Sequence, residues 1–129
     1  MDACPDIPVL EIGPGMGVMT QFLVPKPRPV KAVEIDKESV AYLNEKFPKL
    51  RENIIGQDFL RMDLNDIFDG NQFVLTGNYP YDISSQIFFK MLSTVSAMAL
   101  AMPRSVRKCW PRFFFGRTDF IIRCCLVYD

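Results

Sequence analysis

The feature that most constrains this chain is Val9-Leu10-Glu11-Ile12-Gly13-Pro14-Gly15-Met16-Gly17, an apolar run that breaks into three closely spaced glycines. Val9, Leu10 and Ile12 read as a short buried strand. Gly13, Gly15 and Gly17 form a loop whose backbone lets a ligand approach closely and is expected to offer it N–H groups. A glycine loop alone is often an ordinary strand-to-helix turn. Here the next apolar run ends in an acid, Glu34. A carboxylate at the end of a second strand can accept two hydrogen bonds from ribose hydroxyls. Loop and acid together point to a nucleoside-containing cofactor.

The spacing predicts a regular alternation. A helix over 18–24 carries Val18, Met19, Phe22 and Leu23 as its stripe, and Pro25, Pro27 and Pro29 end it. A second strand over 30–35 precedes a helix over 37–47 with Val40, Ala41, Leu43, Asn44 and Phe47 on one side, closed by Pro48. Short strands follow at 53–55 and 73–75, the latter entered from the turn Asp69-Gly70-Asn71. Ser84 or Ser85 is read as the N-cap of a helix over 86–92. Strand–helix alternation implies parallel pairing, and in such open sheets ligands bind beyond the carboxyl ends of the strands. The glycine loop, Glu34, Asp58 and Asn78 all fall at those ends.

The 129 residues suit one small domain, and 49% of them are apolar, enough for a core. The net charge of zero hides a division. Residues 1–92 hold 9 Lys and Arg against 13 Asp and Glu; residues 93–129 hold 6 against 2. The first part is read as the cofactor-binding core, the second as a divergent basic and aromatic tail. The chain has no histidine, which removes Ser-His and Cys-His nucleophile pairs and imidazole metal ligands. None of its 4 cysteines forms a Cys-x-x-Cys knuckle, so we expect reduced thiols and no metal. No basic-then-apolar leader opens the chain, and the apolar stretch around 94–102 is too short for a membrane span of about 20 residues. We expect a monomer in the cytoplasm.

The chemistry of the clusters narrows the ligand. Asp58 is a short acceptor for an exocyclic amine of adenine, and Ile35 and Phe59, beside the two acids, would flank the ring's faces. The acidic lining disfavours a pyrophosphate and suits a sulfonium, so S-adenosyl-L-methionine is expected over a dinucleotide. In Asn78-Tyr79-Pro80-Tyr81, the Asn78 amide oxygen and the Tyr79 carbonyl can take the two protons of a base amine. That localises the nitrogen lone pair for attack on a methyl group. Tyr81 can stack on a flipped-out base, worth about 1–3 kcal/mol, and Pro80 fixes the turn. The expected catalytic residues are therefore Asn78, Tyr79, Pro80 and Tyr81. The expected cofactor residues are Glu11, Gly13, Gly15, Gly17, Glu34, Ile35, Asp58, Phe59 and Asn78.

Four segments, in this order and spacing, carry a resemblance: Glu11-Ile12-Gly13-Pro14-Gly15-Met16-Gly17, Val33-Glu34-Ile35-Asp36, Gln57-Asp58-Phe59, and Gly77-Asn78-Tyr79-Pro80-Tyr81 followed by Ile83-Ser84-Ser85. Over about residues 8–92 the chain resembles the bacterial rRNA adenine N6,N6-dimethyltransferases of the KsgA type, relatives of the macrolide-resistance rRNA methyltransferases. The resemblance implies an α/β, Rossmann-like S-adenosylmethionine-dependent methyltransferase fold, here a partial parallel sheet with an atypical C-terminal tail. It implies cofactor contacts at Gly13 and Gly15, ribose at Glu34, the adenine amine at Asp58, and the target adenine at Asn78 and Tyr81. It also implies small-subunit ribosomal RNA as partner, dimethylated at two adjacent adenines.

Three departures stand beside it. The family's Phe-Leu-x-x-x-Phe-Leu-type segment before the first strand is not matched here. Asp82 stands where the family more often has Asn. Residues 93–129 match neither the later strands nor the helical RNA-binding domain, which suggests a truncated or frame-shifted reading frame. A sheet lacking its later strands has an open edge, which the apolar run over 120–128 is expected to cover in part. Two other functions remain open: a non-catalytic cofactor-binding remnant, and an NAD-dependent oxidoreductase domain. The second is disfavoured because the third glycine comes one residue early for G-x-G-x-x-G.

Overall fold

In the computed structural model, the described residues are 8–69, 73–77, 83, 85–87, 89 and 90, with the backbone of 126 and 127. Their centre is β1 (Val9–Ile12), buried along its whole length. It pairs in parallel with β2 (Val30–Val33) on one side and β4 (Val74–Gly77) on the other. β3 (Ile54–Ile55) extends the sheet beside β2, and β5 (Leu126–Val127) pairs antiparallel with β4. The strand order is β3-β2-β1-β4-β5. The first four strands keep the parallel βα arrangement read from the sequence. β5 covers the β4 edge opposite Val74 and Leu75, as expected of the 120–128 run. The stretch Gly116-Arg117-Thr118-Asp119, which reads in the sequence as a hairpin turn before that run, lies outside the described residues.

Alternate side chains of a strand point to opposite faces, so the core divides in two. Leu10, Ile12, Val33 and Leu75 pack with Phe59, Leu64, Ile67, Phe68, Phe73 and Ile87 on one face. Val9, Val30, Ala32 and Val74 pack with Leu23 and Leu50 on the other. Burial on both faces is why the strands read as continuous apolar runs.

α1 is shorter than the stripe over 18–24 predicts: it is the single turn Thr20–Leu23. Thr20 and Leu23, three residues apart, face the sheet and are buried. Val18 and Phe22 are 64% and 67% exposed, so half of the expected stripe faces outward. α2 (Lys37–Lys46) buries Leu43, while Ala41 of the predicted stripe is exposed. Its N-cap is Asp36, whose carboxylate accepts from the Ser39 N–H at 2.8 Å and from the Ser39 hydroxyl at 2.7 Å. Pro48 does not simply stop the helix; it opens a 3₁₀ segment, Pro48–Asn53, that leads into β3.

β4 runs further than the expected 73–75, because Thr76 and Gly77 stay paired opposite Glu11 and Ile12. A buried Thr and a Gly give no apolar signal, which hid the strand's end. Ile83 and Ser85 are already helical, so Ser85 lies inside its helix and is not the N-cap of one beginning at residue 86. Ile83 and Ile87, one turn apart, both contact the core, which places that helix on the sheet earlier than the serines suggest. Ser84 itself, Gly70 and Asn71 lie outside the described residues.

Candidate cofactor site

The register decides what shares an edge. Ile12 stands opposite both Val33 and Gly77, and Val33 opposite Ile55. The residues that follow these positions, Gly13, Glu34 and Gly56, therefore leave the sheet side by side at its carboxyl edge. β4 reaches that edge at Gly77. Asn78, Tyr79, Pro80 and Tyr81 lie outside the described residues.

All three loop glycines have positive φ: +59° at Gly13, +53° at Gly15 and +80° at Gly17. They serve two different ends. A Cβ built on Gly13 or Gly15 meets nothing within 4 Å, which leaves open space above the loop. A Cβ on Gly17 would lie 2.5 Å from the Phe47 ring, so Gly17 admits α2's C-cap residue against the loop. The loop was expected to offer its backbone N–H groups to the ligand. Instead each glycine N–H donates within the protein: Gly13 to the Val33 carbonyl at 2.9 Å, Gly17 to the Pro14 carbonyl at 2.8 Å, and Gly15 to Glu34 Oε2 at 3.0 Å. What the loop presents is room, not glycine donors.

Glu34 is 8% exposed, and both of its oxygens hold backbone. Oε2 accepts from Gly15, and Oε1 accepts from the Asp36 N–H at 3.0 Å. Each carboxylate oxygen can accept a second hydrogen bond, so two acceptor positions remain for hydroxyl groups. Ile35, next in sequence, is 68% exposed beside the loop's acid.

Asp58 follows β3 by three residues and is half-buried. Its Oδ1 accepts from the Leu60 N–H at 3.0 Å, capping the 3₁₀ turn Phe59–Arg61, and its Oδ2 lies 3.6 Å from Arg61 Nε. Phe59 is buried in the core at 5% exposure, so its ring faces the protein interior. Of the two residues expected to flank a purine ring, Ile35 is the one whose side chain is exposed.

Glu11 is 1% exposed and lies on the α1 side of β1. Thr20, at the first position of α1, donates its hydroxyl to Glu11 Oε2 at 2.7 Å. Burial pushes the Glu11 carboxyl up to about 7, against the Thr20 hydrogen bond and with the added effect of the Glu34 charge. Thr76, opposite Glu11 on β4, is also buried and donates to Met19 Sδ at 3.4 Å. Sequence reasoning missed Thr20; the only signal was a hydroxyl at the start of the helix after the loop.

It also missed Lys90, which donates to the Met62 carbonyl and lies 5.4 Å from the Phe59 ring centroid. Burial lowers the Lys90 pKa, and Asp58 and Asp63 oppose that shift. Lys90 thus ties the helix after β4 to the turn that carries Asp58. Among the described residues, no group of three or more His, Cys, Asp or Glu side chains could hold a metal ion, and no helix is long and apolar enough to cross a membrane.

The family pattern for ribosomal RNA adenine dimethylases matches residues 2–110. The chain belongs to that family. The match passes residue 92 in sequence, beyond the stretch that carries the four motifs. A ribosomal RNA small subunit methyltransferase A of Phocaeicola vulgatus is 68% identical over 92 residues, 71% of this chain and 33% of the relative. The protein of the same name from Parabacteroides distasonis is 58% identical over 92 residues, 71% of this chain and 34% of the relative. This dimethylase-family chain thus spans about a third of the length of these relatives.

Two solved structures share its fold. The 23S rRNA methyltransferase ErmE superposes with a TM-score of 0.56 at 37% identity, over 68% of this chain and 35% of that one. A dimethyladenosine transferase from Plasmodium falciparum superposes with a TM-score of 0.51 at 28% identity, over 67% and 30%. The fold is the Rossmann-like methyltransferase fold.

Proposed function

We propose that residues 8–92 form the cofactor-binding part of an enzyme that uses S-adenosyl-L-methionine to dimethylate N6 of adenines in small-subunit ribosomal RNA. The observation that carries this reading is the glycine loop, which leaves open space above Gly13 and Gly15 while its glycine N–H groups already have protein acceptors. A dinucleotide's pyrophosphate needs backbone donors at such a loop. An adenosyl sulfonium needs room, hydroxyl acceptors and negative surroundings. Glu34 supplies both the acceptors and the negative charge.

In this reading the ribose hydroxyls donate to the free positions on Glu34, and Ile35 lies against the adenine. Asp58 accepts from the adenine amine with the lone pairs that its turn leaves over. Gly17 and the Phe59 ring support the site from within. Asn78 and the Tyr79 carbonyl take the protons of the target amine, Tyr81 stacks on the target base, and Pro80 shapes the turn. The resemblance carries the assignments of Asn78 and Tyr81, and the chemistry of the turn carries those of Tyr79 and Pro80. Methyl transfer is then a displacement from sulfur to nitrogen, with most of the catalysis supplied by alignment.

A thermal melt with S-adenosylhomocysteine and, separately, with NAD tests the reading. A ligand that binds only the folded chain stabilises it by about 2.7 kcal/mol at a concentration 100 times its Kd. A rise in Tm with S-adenosylhomocysteine and none with NAD is expected. A rise with NAD alone would return the chain to the oxidoreductases. Cofactor binding without methyl transfer to rRNA would favour a cofactor-binding remnant.

A further inference from the structure

Gly15 sits at φ +53°, a conformation it holds away from any strand ladder. Gly13 is held by the Val33 carbonyl, an extension of the β1–β2 pairing, and Gly17 by the Pro14 carbonyl within its own turn. Gly15 lies between them, and its N–H goes to a side chain nineteen residues away, Glu34 Oε2 at 3.0 Å. The other Glu34 oxygen accepts from the Asp36 N–H at 3.0 Å, at the N-cap of α2. One buried carboxylate therefore bridges the crest of the glycine loop and the start of the helix after β2.

We propose that Glu34 is a positioning residue for the glycine loop: it holds the Gly15 amide in place before any ligand arrives, in addition to the ribose contact assigned above. The inference deepens the proposed function and rests on it for its consequence, which is that the loop is shaped in the free protein. Hydrogen bonds to a charged acceptor are stronger than neutral ones, and a partly buried carboxylate loses more when it lacks a donor. A glutamine at this position keeps the shape and one acceptor oxygen, but it turns an N–H₂ group toward one of the two backbone N–H donors. Glu34→Gln therefore breaks one arm of the bridge while leaving the side chain's length intact.

The experiment is amide hydrogen exchange, followed by NMR on the full chain without ligand, for the unaltered protein and Glu34→Gln. Exchange at Gly15 or at Asp36, whichever amide meets the N–H₂ group, is expected to accelerate about tenfold or more, the loss of one charge-assisted hydrogen bond, while the amides of Leu10 and Leu75 in the sheet keep their rates. Unchanged rates at both Gly15 and Asp36 would overturn the proposal. If Glu34→Gln does not fold, the unaltered protein still decides. A scalar coupling across the hydrogen bond between the Gly15 nitrogen and the Glu34 carboxylate carbon is expected, and its absence counts against the bridge.

A ligand arm separates the two roles. A 2′,3′-dideoxy analogue of S-adenosylhomocysteine offers no ribose hydroxyls. If Glu34 also shapes the loop, Glu34→Gln still weakens this analogue about threefold or more; an unchanged Kd confines Glu34 to the ribose and overturns the inference. Failure of the unaltered chain to bind S-adenosylhomocysteine would instead sink the proposed function, and the exchange rates would still decide the bridge.

Discussion

Phe47 occupies the space that a side chain on Gly17 would need: a Cβ there would lie 2.5 Å from Phe47 Cε2 and 3.3 Å from Leu43 Cδ2. The glycine loop and the end of α2 are thus in direct contact through a missing side chain. The third glycine of the motif belongs to packing, while the first two belong to the open side of the loop.

Gly17→Ala is accordingly expected to destabilise the fold by about 1–3 kcal/mol from overpacking, with the φ of +80° adding strain. Gly13→Ala meets no atom within 4 Å. It should cost only the left-handed strain, roughly 1–2 kcal/mol, yet it fills the ligand's space. Urea unfolding with and without S-adenosylhomocysteine checks both. Gly17→Ala should lower the midpoint more than Gly13→Ala, and Gly13→Ala should lose most of the ligand's stabilisation; an undiminished ligand effect in Gly13→Ala would refute the division of roles.

The buried Glu11 carboxyl sets a pH dependence. Its folded pKa of about 7 lies above an ordinary value of 4.5, and the cause is burial. The folded chain holds the proton where the unfolded chain has released it. Stability should therefore be fully present below about pH 4.5 and fall as the pH rises toward 7. A shift of this size corresponds to roughly 3 kcal/mol. Glu11→Gln keeps an acceptor for Thr20 and removes the titration. Denaturant titrations across this range should show the variant gaining on the unaltered protein as pH rises; parallel curves would mean that Glu11 does not titrate in this way.

The Asp36 cap behaves in the opposite sense. Hydrogen bonds from the Ser39 hydroxyl and the Ser39 N–H hold its pKa below the ordinary 3.8. Its contribution is present above that value and is lost as pH falls through the lower folded pKa. Asp36→Ala should reduce the Tm at neutral pH, and the difference should shrink in acid below pH 3.8. A Tm gap that persists undiminished at pH 2 would show that the carboxylate is not the cap that matters.

Ile35 separates stability from binding. It is 68% exposed, so Ile35→Ser should change folding stability by no more than about 0.5 kcal/mol. The same change should weaken S-adenosylhomocysteine severalfold, because it removes the apolar surface proposed to lie against adenine. Calorimetric titration of the two proteins decides; an unaltered Kd would move the adenine elsewhere.

The sequence by itself determined the architecture of the first four strands. Runs such as Val9-Leu10-Glu11-Ile12 are apolar because parallel strands are buried on both faces, and that signal is local and dense. It also marked Gly13, Gly15 and Glu34, since positive φ and a strand-end acid each leave a residue-type signature. The end of α2 near Phe47 was similarly local.

Tertiary structure alone decided where groups are directed. That Glu34 grips the Gly15 amide, that Gly17 yields to Phe47, and that the Phe59 ring turns inward while Ile35 turns outward depend on atoms brought together from distant positions. The short turn of α1 and the late end of β4 were hidden for the same reason: Phe22 is apolar but exposed, and Thr76 is polar but buried. Residue type reports which environment a side chain favours. The register of β1 against β2 and β4 determines which environment it receives.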